Sequence, residues 1–127
     1  MGVTGQRYRT ASPAGLAHIL LGLWVIISPF VLGFARLEAW KWNNVASGLL
    51  VTLGALGFGP RTGTAIVLPG IWLVISAFIF AINSAFLFAT GYTTPLWNNV
   101  TSGALILIVS LAAGTRQDRA FRSRAPD

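Results

Sequence analysis

The chain has 127 residues, of which 54% are hydrophobic and only 9% are charged, whereas soluble domains carry about 25% charged residues. Its net charge of +6 does not indicate nucleic-acid binding, because the basic residues lie at the ends of apolar segments, where they orient membrane proteins. The absence of cysteine excludes disulfides, thiolate catalysis and Cys-ligated metals.

Charged residues are unevenly distributed along the chain. No Lys, Arg, Asp or Glu lies within residues 13–35, 43–60 or 62–110. The last of these stretches is far longer than a core element of a soluble protein. The sequence therefore predicts an integral, all-α membrane protein with four transmembrane helices.

The first apolar segment follows a polar leader, residues 1–13, which contains Arg7 and Arg9 and is expected in the cytoplasm. The segment runs from about Ala14 to Ala35, longer than the roughly 7–15 residues of a signal-peptide core. It therefore predicts a retained first transmembrane helix.

A polar and aromatic turn is predicted over residues 36–42. It contains Trp40 and Trp42 on either side of Lys41. This combination is typical of the membrane interface, because the indole ring is apolar in its body and polar at its tip.

The second helix is predicted to begin at Asn43 and Asn44, whose side chains would accept hydrogen bonds from the first backbone amides. It is expected to end near Gly59 and to complete a first repeat, residues 14–59. A cytoplasmic turn, residues 60–63, then contains Pro60 and Arg61.

The third helix begins near Thr64, and its apolar segment extends to about Ala89, which is longer than one span requires. Two explanations stay open. Either the extra residues lengthen the helix by two turns, or Asn83 and Ser84 end the span and residues 85–90 lie in the membrane interface.

The composition of residues 91–95 predicts a loop. Trp97 follows it, and Asn98 and Asn99 are predicted to cap a fourth helix, as the paired asparagines of the second helix do. This helix is expected to end near Gly114, which completes a second repeat, residues 64–114.

The tail, residues 115–127, contains four arginines. The simplest role for them is to fix the topology beside anionic lipid headgroups, and docking on a protein partner is the alternative. Seven basic residues fall on the side of the two termini and two on the other side. The positive-inside rule therefore predicts that both termini are cytoplasmic.

Two motifs occur twice in the same order, which indicates an internal duplication. Residues 22–30 recur at 70–78, and residues 42–48 recur at 97–103, so the second copy contains a seven-residue insertion. Because each copy has two spans, both cross the membrane in the same sense, and a pseudo-two-fold axis along the membrane normal is expected. The motif residues are Gly22, Trp24, Ser28, Pro29, Phe30, Trp42, Asn43, Asn44, Ser47 and Gly48 in the first copy, and Gly70, Trp72, Ser76, Trp97, Asn98, Asn99, Ser102 and Gly103 in the second.

Small residues form a stripe along each predicted helix. Lipid tails supply no hydrophobic drive between helices, so association depends on close backbone approach, which small residues permit. We therefore predict that the stripes form the internal seams of a four-helix bundle. They comprise Gly15, Gly22, Pro29 and Gly33 in helix one; Gly48, Thr52, Ala55 and Gly59 in helix two; Gly63, Gly70, Ala77 and Ala81 in helix three; and Gly103, Ser110 and Gly114 in helix four.

Trp24 and Trp72 lie on the other side of their helices from the glycines and too deep for the interfacial belt. A buried indole N–H seeks an acceptor. Pro29 removes the amide that would bond the Val25 carbonyl, and Ser28 is predicted to bond that carbonyl or the one at position 24. The alternative is that Trp and Ser line a ligand site between the repeats.

The apolar segments lack residues for catalysis. His18 is interpreted as a side chain near the cytoplasmic interface that points at water or at a neighbouring helix. The carboxylates fall in loops or in the tail, and the sequence contains no metal-ligand cluster or phosphate-binding loop. We expect no catalytic site, no metal and no cofactor. Four serines are instead predicted to hydrogen-bond between helices: Ser28, Ser47, Ser76 and Ser102.

The two motifs resemble those of the SPW-repeat family of small bacterial integral membrane proteins. Ser28, Pro29 and Phe30 match its Ser-Pro-Trp motif with Phe in place of Trp, and Ser76 alone retains the motif in the second copy. The resemblance covers residues 15–114. It implies a membrane protein of undefined biochemical role and supplies no catalytic residues.

Two functions are compatible with these features. The first is a structural or accessory role, as an oligomer or as a subunit of a larger membrane complex, which predicts a tightly packed bundle. The second is a channel or carrier for a small neutral or apolar solute, which predicts a continuous cavity lined by Trp24, Trp72, Asn83 or the serines. An enzyme is not expected.

Overall fold

The computed structural model describes residues 13–57 and 64–124, and within them it contains helices and no strand. Three helices, over Pro13–Val31, Ala65–Asn83 and Thr94–Gly114, are long and apolar enough to cross a membrane. The helices in chain order are α1 (Pro13–Val31), α2 (Glu38–Ala55), α3 (Thr64–Asn83), α4 (Ala85–Thr90) and α5 (Thr94–Ser123).

The four long helices pack side by side in a closed order. Helix α1 packs against α2, α2 against α3, α3 against α5, and α5 against α1. Each contributes one fully buried apolar residue to the centre of the bundle, and none of the four side chains is exposed at all. These core residues are Val25, Val51, Leu73 and Ile106.

The distribution of polar and apolar side chains is that of an integral membrane protein. Large apolar residues lie on the outside, and Ile82 and Leu111, for example, are more than two-thirds exposed. Soluble proteins seldom bury polar side chains so completely, yet most of the buried polar residues here belong to the repeated motifs. The buried polar residues are His18, Ser28, Asn44, Ser47, Ser76, Asn99 and Ser102.

Helix α1 ends at Val31, four residues before the predicted end at Ala35, which was therefore wrong. Gly33 adopts a positive φ of 83°, a conformation that an L side chain rarely accepts and that turns the chain out of the helix. Pro29 is accommodated in the last turn, where the Ser28 hydroxyl donates to the Val25 carbonyl at 3.0 Å. The predicted use of that freed carbonyl is confirmed.

Helix α2 begins at Glu38, so the prediction that Asn43 and Asn44 cap it was wrong. The segment interpreted as a turn is already helical, because the backbone amide of Lys41 bonds the Leu37 carbonyl. A carboxylate in the first turn also interacts favourably with the helix dipole. Both asparagines therefore lie inside α2, and their side chains are available for other helices.

Helix α3 ends at Asn83, and the short helix α4, of six residues, follows it. The Ser84 hydroxyl accepts the Leu87 backbone amide at 3.4 Å, and Gly91 ends α4 with a φ of 67°. Of the two explanations for the long apolar segment, the break at Asn83 and Ser84 is therefore correct, and a longer α3 is not.

Helix α5 begins at Thr94 rather than at Trp97, because Pro95 is well suited to the first helical turn. Asn98 and Asn99 therefore lie inside α5, and the prediction that they cap it was wrong. The candidate membrane span within α5 ends at Gly114, as predicted, and the helix itself continues beyond it to Ser123.

A second apolar cluster lies where α4 covers one end of the bundle. Phe34, Trp40, Ala77 and Leu87 are buried in it, and the rings of Trp40 and Phe80 meet edge to face with centroids 5.5 Å apart. Helix α4 thus closes the end of the bundle at which α1 and α3 end and α2 and α5 begin.

Candidate functional site

The first seam joins α1 to α2 through two facing glycines. A Cβ atom added at Gly48 would lie 2.5 Å from the Gly22 carbonyl oxygen and 2.7 Å from Cγ1 of Ile26. A Cβ atom at Gly22 would collide with the Thr52 hydroxyl and lie 2.9 Å from the Gly48 carbonyl oxygen. The two backbones are therefore in direct contact.

The second seam joins α3 to α5 through the counterparts of the same glycines. A Cβ atom at Gly103 would lie 2.8 Å from the Gly70 carbonyl oxygen and 2.7 Å from Cγ2 of Val74, and one at Gly70 would lie 2.9 Å from Cγ2 of Ile106. The seam prediction is confirmed for all four motif glycines.

Other members of the predicted stripes do not contribute to the seams. Gly33 lies in the turn after α1 rather than in a helix. A Cβ atom at Gly114 would have no atom within 4 Å. Gly59 and Gly63 lie outside the described residues.

Two indole–amide pairs connect the halves of the chain. Trp24 Nε1 on α1 donates to Asn98 Oδ1 on α5 at 3.1 Å. Trp72 Nε1 on α3 donates to Asn43 Oδ1 on α2 at 2.6 Å. Trp24 is the counterpart of Trp72, and Asn43 is the counterpart of Asn98. Each half of the chain therefore supplies the donor of one pair and the acceptor of the other.

The same two asparagines also reach the motif serines of the opposite half. Asn98 Nδ2 donates to Ser28 Oγ at 3.0 Å, and Asn43 Nδ2 donates to Ser76 Oγ at 3.1 Å. Each serine passes its own proton to a carbonyl of its helix, at 3.0 Å from Ser28 to the Val25 carbonyl and at 3.3 Å for Ser76. Ser28 and Ser76, two of the four serines predicted to bond between helices, are therefore interhelical acceptors.

The direction of these hydrogen bonds follows from the indoles. An indole N–H only donates, so it fixes the amide oxygen of Asn43 or Asn98 toward itself and leaves the amide nitrogen free to donate. Because each serine proton is already used, the serine oxygen must accept. In both halves, therefore, a Trp donates to an Asn oxygen, and the nitrogen of the same Asn donates to a Ser oxygen.

Asn44 and Asn99 complete the cluster and are fully buried. Asn44 Nδ2 donates to Ser28 Oγ at 3.2 Å, whereas its counterpart atom, Asn99 Nδ2, has no partner in the described part of the chain. Asn99 Oδ1 accepts from Asn98 Nδ2 at 3.3 Å, whereas Asn44 Oδ1 has no partner there. The atom that is unpaired in one half is therefore the counterpart of an atom that is hydrogen-bonded in the other half.

The remaining motif residues divide between the interior and the surface. Pro29 is buried, and Ser47 and Ser102 are nearly so, at 3% exposure. Phe30, Trp42 and Trp97 are exposed on the apolar outer surface. Trp42 Nε1 also donates to Glu38 Oε2 at 2.9 Å.

Glu38 organises the charged residues at the start of α2. Lys41 Nζ lies 3.0 Å from Glu38 Oε1 and 5.0 Å from the centroid of the Trp42 ring. The hydrogen bonds from Lys41 and then from Trp42 lower the pKa of the Glu38 carboxyl from its ordinary value. The group is fully exposed, so these contacts position the aromatic side chain rather than stabilise the fold.

His18 is buried between α1 and α5, 4% exposed, and so it points at a neighbouring helix rather than at water. Its Nε2 lies 3.0 Å from Ser110 Oγ and 3.3 Å from the Ile106 carbonyl oxygen. The Ser110 hydroxyl donates to that carbonyl at 2.7 Å. Both atoms facing Nε2 are thus acceptors, which places the ring proton on Nε2.

The hydrogen-bonded polar cluster holds helices together and carries no group that changes its charge near neutral pH. The cluster consists of Trp24, Ser28, Asn43, Asn44, Trp72, Ser76, Asn98 and Asn99 and does not include His18. Its donors and acceptors are indoles, amides and hydroxyls, and they bond mainly to one another. Among the described residues, no group of three or more His, Cys, Asp or Glu side chains could hold a metal ion. The hydrogen bonds of the arrangement therefore connect the two halves of the chain.

The pairing of Trp with Asn across the halves is the feature that the sequence analysis missed. A usable signal was present, because the two motifs recur together in both copies. Their shared recurrence indicates contact between the motifs, but not which copy contacts which.

Comparison with known protein families gives a match to the first half of the chain. Residues 3–58 match the family model described as the SPW repeat domain. These residues cover the first copy of both motifs. No curated protein and no solved structure matches the chain.

Proposed function

We propose that the chain is a small structural or accessory membrane protein, because residues 3–58 match the SPW repeat domain and the SPW family is membrane-associated. Its role is to present a rigid, apolar helical unit that assembles with further copies or with a larger membrane complex. We further propose that it has no enzymatic activity and does not bind nucleic acid.

The proposed unit is a four-helix bundle made by internal duplication. Counterpart residues occupy counterpart places in the core, since Val25 corresponds to Leu73 and Val51 to Ile106. The two glycine seams and the two indole–amide pairs correspond in the same way. These correspondences support a pseudo-two-fold axis between the repeats, along the membrane normal.

The fourth span of the bundle is α2, which is less apolar than its neighbours. Three contacts along its length support this assignment. Asn43 bonds Ser76 on α3, Gly48 packs against α1, and a Cβ atom at Gly54 would lie 3.0 Å from Cγ1 of Ile66 on α3. A helix in contact with two spanning helices along its length is expected to cross the membrane with them. Four spans place both termini on one side, which the basic residues mark as the cytoplasmic side of a bacterial inner membrane.

The observation that carries the structural role is the closed interior of the bundle. The polar cluster lies between two apolar layers, one formed by the four core residues and the other by the cluster around Phe34 and Leu87. A conducting path would need polar or open space through both layers. The alternative function, a channel or carrier for a small neutral or apolar solute, therefore requires a rearrangement of these layers.

The outer surface supports an assembly role. Large apolar side chains surround the bundle, so contacts in the membrane plane are available to lipid, to further copies or to other membrane proteins. The C-terminal part of α5 carries the exposed residues Arg119 and Arg122. They are suited to anionic headgroups at the cytoplasmic face.

A pair of measurements on the reconstituted protein tests the structural role against the channel. Native mass spectrometry after mild detergent extraction is expected to give an assembly heavier than the 13.5 kDa chain. Liposomes containing the protein are expected to shrink in hyperosmotic glycerol or urea at the rate of empty liposomes. A monomeric protein that speeds solute flux would overturn the structural role and favour the channel.

The topology has an independent test, because the chain contains no natural cysteine. Ala89→Cys and Ser123→Cys introduce single thiols at exposed positions of α4 and of the end of α5. A membrane-impermeant maleimide is expected to label position 89 in intact spheroplasts and position 123 only after lysis. Labelling of both positions in intact cells would contradict the four-span topology.

A further inference from the structure

A groove lies on the outer surface between α1 and α5. These two helices pack against each other although they are the first and last long helices of the described chain, so the groove marks the place where the bundle closes on itself. Its volume is about 440 Å³, within the usual range for a small-molecule site and far too small for a helix about 10 Å across. Its lining includes Leu21, Trp24, Trp97, Asn98 and Leu105.

The groove has a polar end and an apolar end. Thr93 and Thr94 line it beside Leu32 at the start of α5, whereas Leu21 and Leu105 line it deeper in the bundle, together with the small side chains of Thr101 and Ser102. From Thr94 to Leu105 is 11 residues, or about 16 Å along the helix. This length is about half of the roughly 30 Å hydrocarbon core, which is the depth of one lipid leaflet.

A second cavity of about 560 Å³ adjoins the polar end. It is lined by residues 33–37 and Tyr92, and the groove is lined by the adjacent residues Leu32 and Thr93. The Tyr92 hydroxyl bonds the Leu32 carbonyl at 2.8 Å at this junction. The two spaces therefore meet where the chain leaves α1 and enters α5.

The second cavity contains a cation without a protein partner. Arg36 lines it and is exposed, and its side chain makes no hydrogen bond or ion pair with any residue of the described ranges. Lys41, the other basic residue at this end of the bundle, is already paired with Glu38. A guanidinium matches the geometry of a phosphate group.

We propose that one phospholipid binds here, with its phosphate at Arg36 and one acyl chain in the groove between Trp24 and Trp97. The proposal rests on the proposed function only in requiring that the bundle lies in a bilayer. The Thr93 and Thr94 hydroxyls face the glycerol region, and the leucines face the acyl chain. The lipid covers the one seam that the polypeptide itself does not connect.

Native mass spectrometry of the full chain, delipidated and then titrated with phosphatidylglycerol, tests the proposal. The wild-type protein is expected to retain one lipid per chain. Leu105→Trp fills the groove and is expected to weaken retention at least tenfold. Leu50→Trp is the matched control, because Leu50 is the counterpart of Leu105 on α2 and is similarly exposed, and it is expected to leave retention unchanged.

A second pair of variants tests the contact between the lipid headgroup and Arg36. Arg36→Gln is expected to weaken phosphatidylglycerol retention by about tenfold, the size of a lost charge-assisted hydrogen bond. Lys41→Gln removes the same charge from the same end of the bundle and is expected to have little effect. Glycerol phosphate without acyl chains is expected not to compete.

Several results would overturn the lipid site. In the groove, these are equal lipid retention by wild type and Leu105→Trp, or the same loss of retention in Leu50→Trp as in Leu105→Trp. At the headgroup, they are the same loss of retention in Lys41→Gln as in Arg36→Gln, or competition by glycerol phosphate. Recovery of the wild-type chain in the membrane fraction is measured separately. A lipid result can therefore fail while the membrane assignment and the structural role stand.

Discussion

Trp24 donates its indole N–H to Asn98 across 74 residues of sequence, and Trp72 makes the counterpart bond to Asn43. Each bond runs from the first long helix of one half of the chain to the second long helix of the other half. Neither half can form the pair within itself in this arrangement. The most distinctive polar residues of the motifs therefore act between the two halves, whereas the glycines act within them.

The indole–amide pairs are expected to stabilise the bundle measurably. Trp24→Phe and Trp72→Phe each keep the ring and remove the donor, leaving an asparagine oxygen unpaired. We expect each to lower the free energy of unfolding by about 1 kcal/mol, since interhelical hydrogen bonds in membranes contribute about 0.6 kcal/mol on average. The measurement is reversible unfolding in mixed micelles. Trp97→Phe is the control, because the Trp97 indole makes no hydrogen bond with the described residues, and an equal loss there would contradict the assignment.

The glycine seams should not tolerate even one methyl group. Gly48→Ala places a Cβ atom 2.5 Å from the Gly22 carbonyl oxygen, so α1 and α2 must move apart. We expect a loss of about 1–3 kcal/mol, the usual cost of overpacking, and failure of Gly22→Leu to assemble. Gly114→Ala is the matched control, because its Cβ atom would meet nothing within 4 Å. Similar unfolding midpoints for Gly48→Ala and Gly114→Ala would contradict the seam.

The seams were predictable from the sequence because they depend on the type of residue at each position and not on its partner. Glycine is the residue that lets two backbones touch, and a repeated glycine in an apolar segment has few other uses. The membrane location followed in the same way from the long stretches without charge. The candidate site was predictable only as a list of motif residues.

The roles of the asparagines could not be derived from the sequence. An Asn after a polar turn is suited both to capping a helix and to bonding a neighbouring helix. Which of the two roles Asn43 takes depends on whether the preceding turn is already helical. It is helical here, because α2 begins at Glu38 and the Lys41 amide bonds within the helix. Likewise, the composition of residues 85–90 is compatible with a longer α3, and only the Ser84 cap and the packing of Leu87 select a separate helix.

Helix α4 is expected to stabilise the bundle through one residue. Leu87 is buried against Phe34 and Trp40, whereas the adjacent Phe88 is 74% exposed. Leu87→Ala is expected to cost about 2–5 kcal/mol, as truncations in a packed core do, and Phe88→Ala is expected to cost little. Unfolding of both variants in mixed micelles measures the difference. A larger loss of stability in Phe88→Ala than in Leu87→Ala would mean that α4 packs Phe88, and not Leu87, against the bundle.

The His18–Ser110 pair offers a last test, of whether a polar contact is needed where α1 meets α5. The counterpart positions in the other half are Ile66 and Ala55, so the corresponding contact of α3 with α2 has no such bond. Ser110→Ala leaves His18 with the Ile106 carbonyl alone, and His18→Leu leaves the serine without its donor. Each is expected to lower stability by about 1 kcal/mol.

The double variant, His18→Leu with Ser110→Ala, removes both partners and restores an apolar contact. It is expected to be more stable than the sum of the single losses predicts, with a coupling energy of about 0.5–1.5 kcal/mol. The cycle also separates the interhelical bond from the bond that Ser110 makes within α5, since the latter is lost equally on both sides of the comparison. A coupling energy of zero would mean that the histidine fills space at this seam without holding it, and that the seam closes through the indole–amide pair alone.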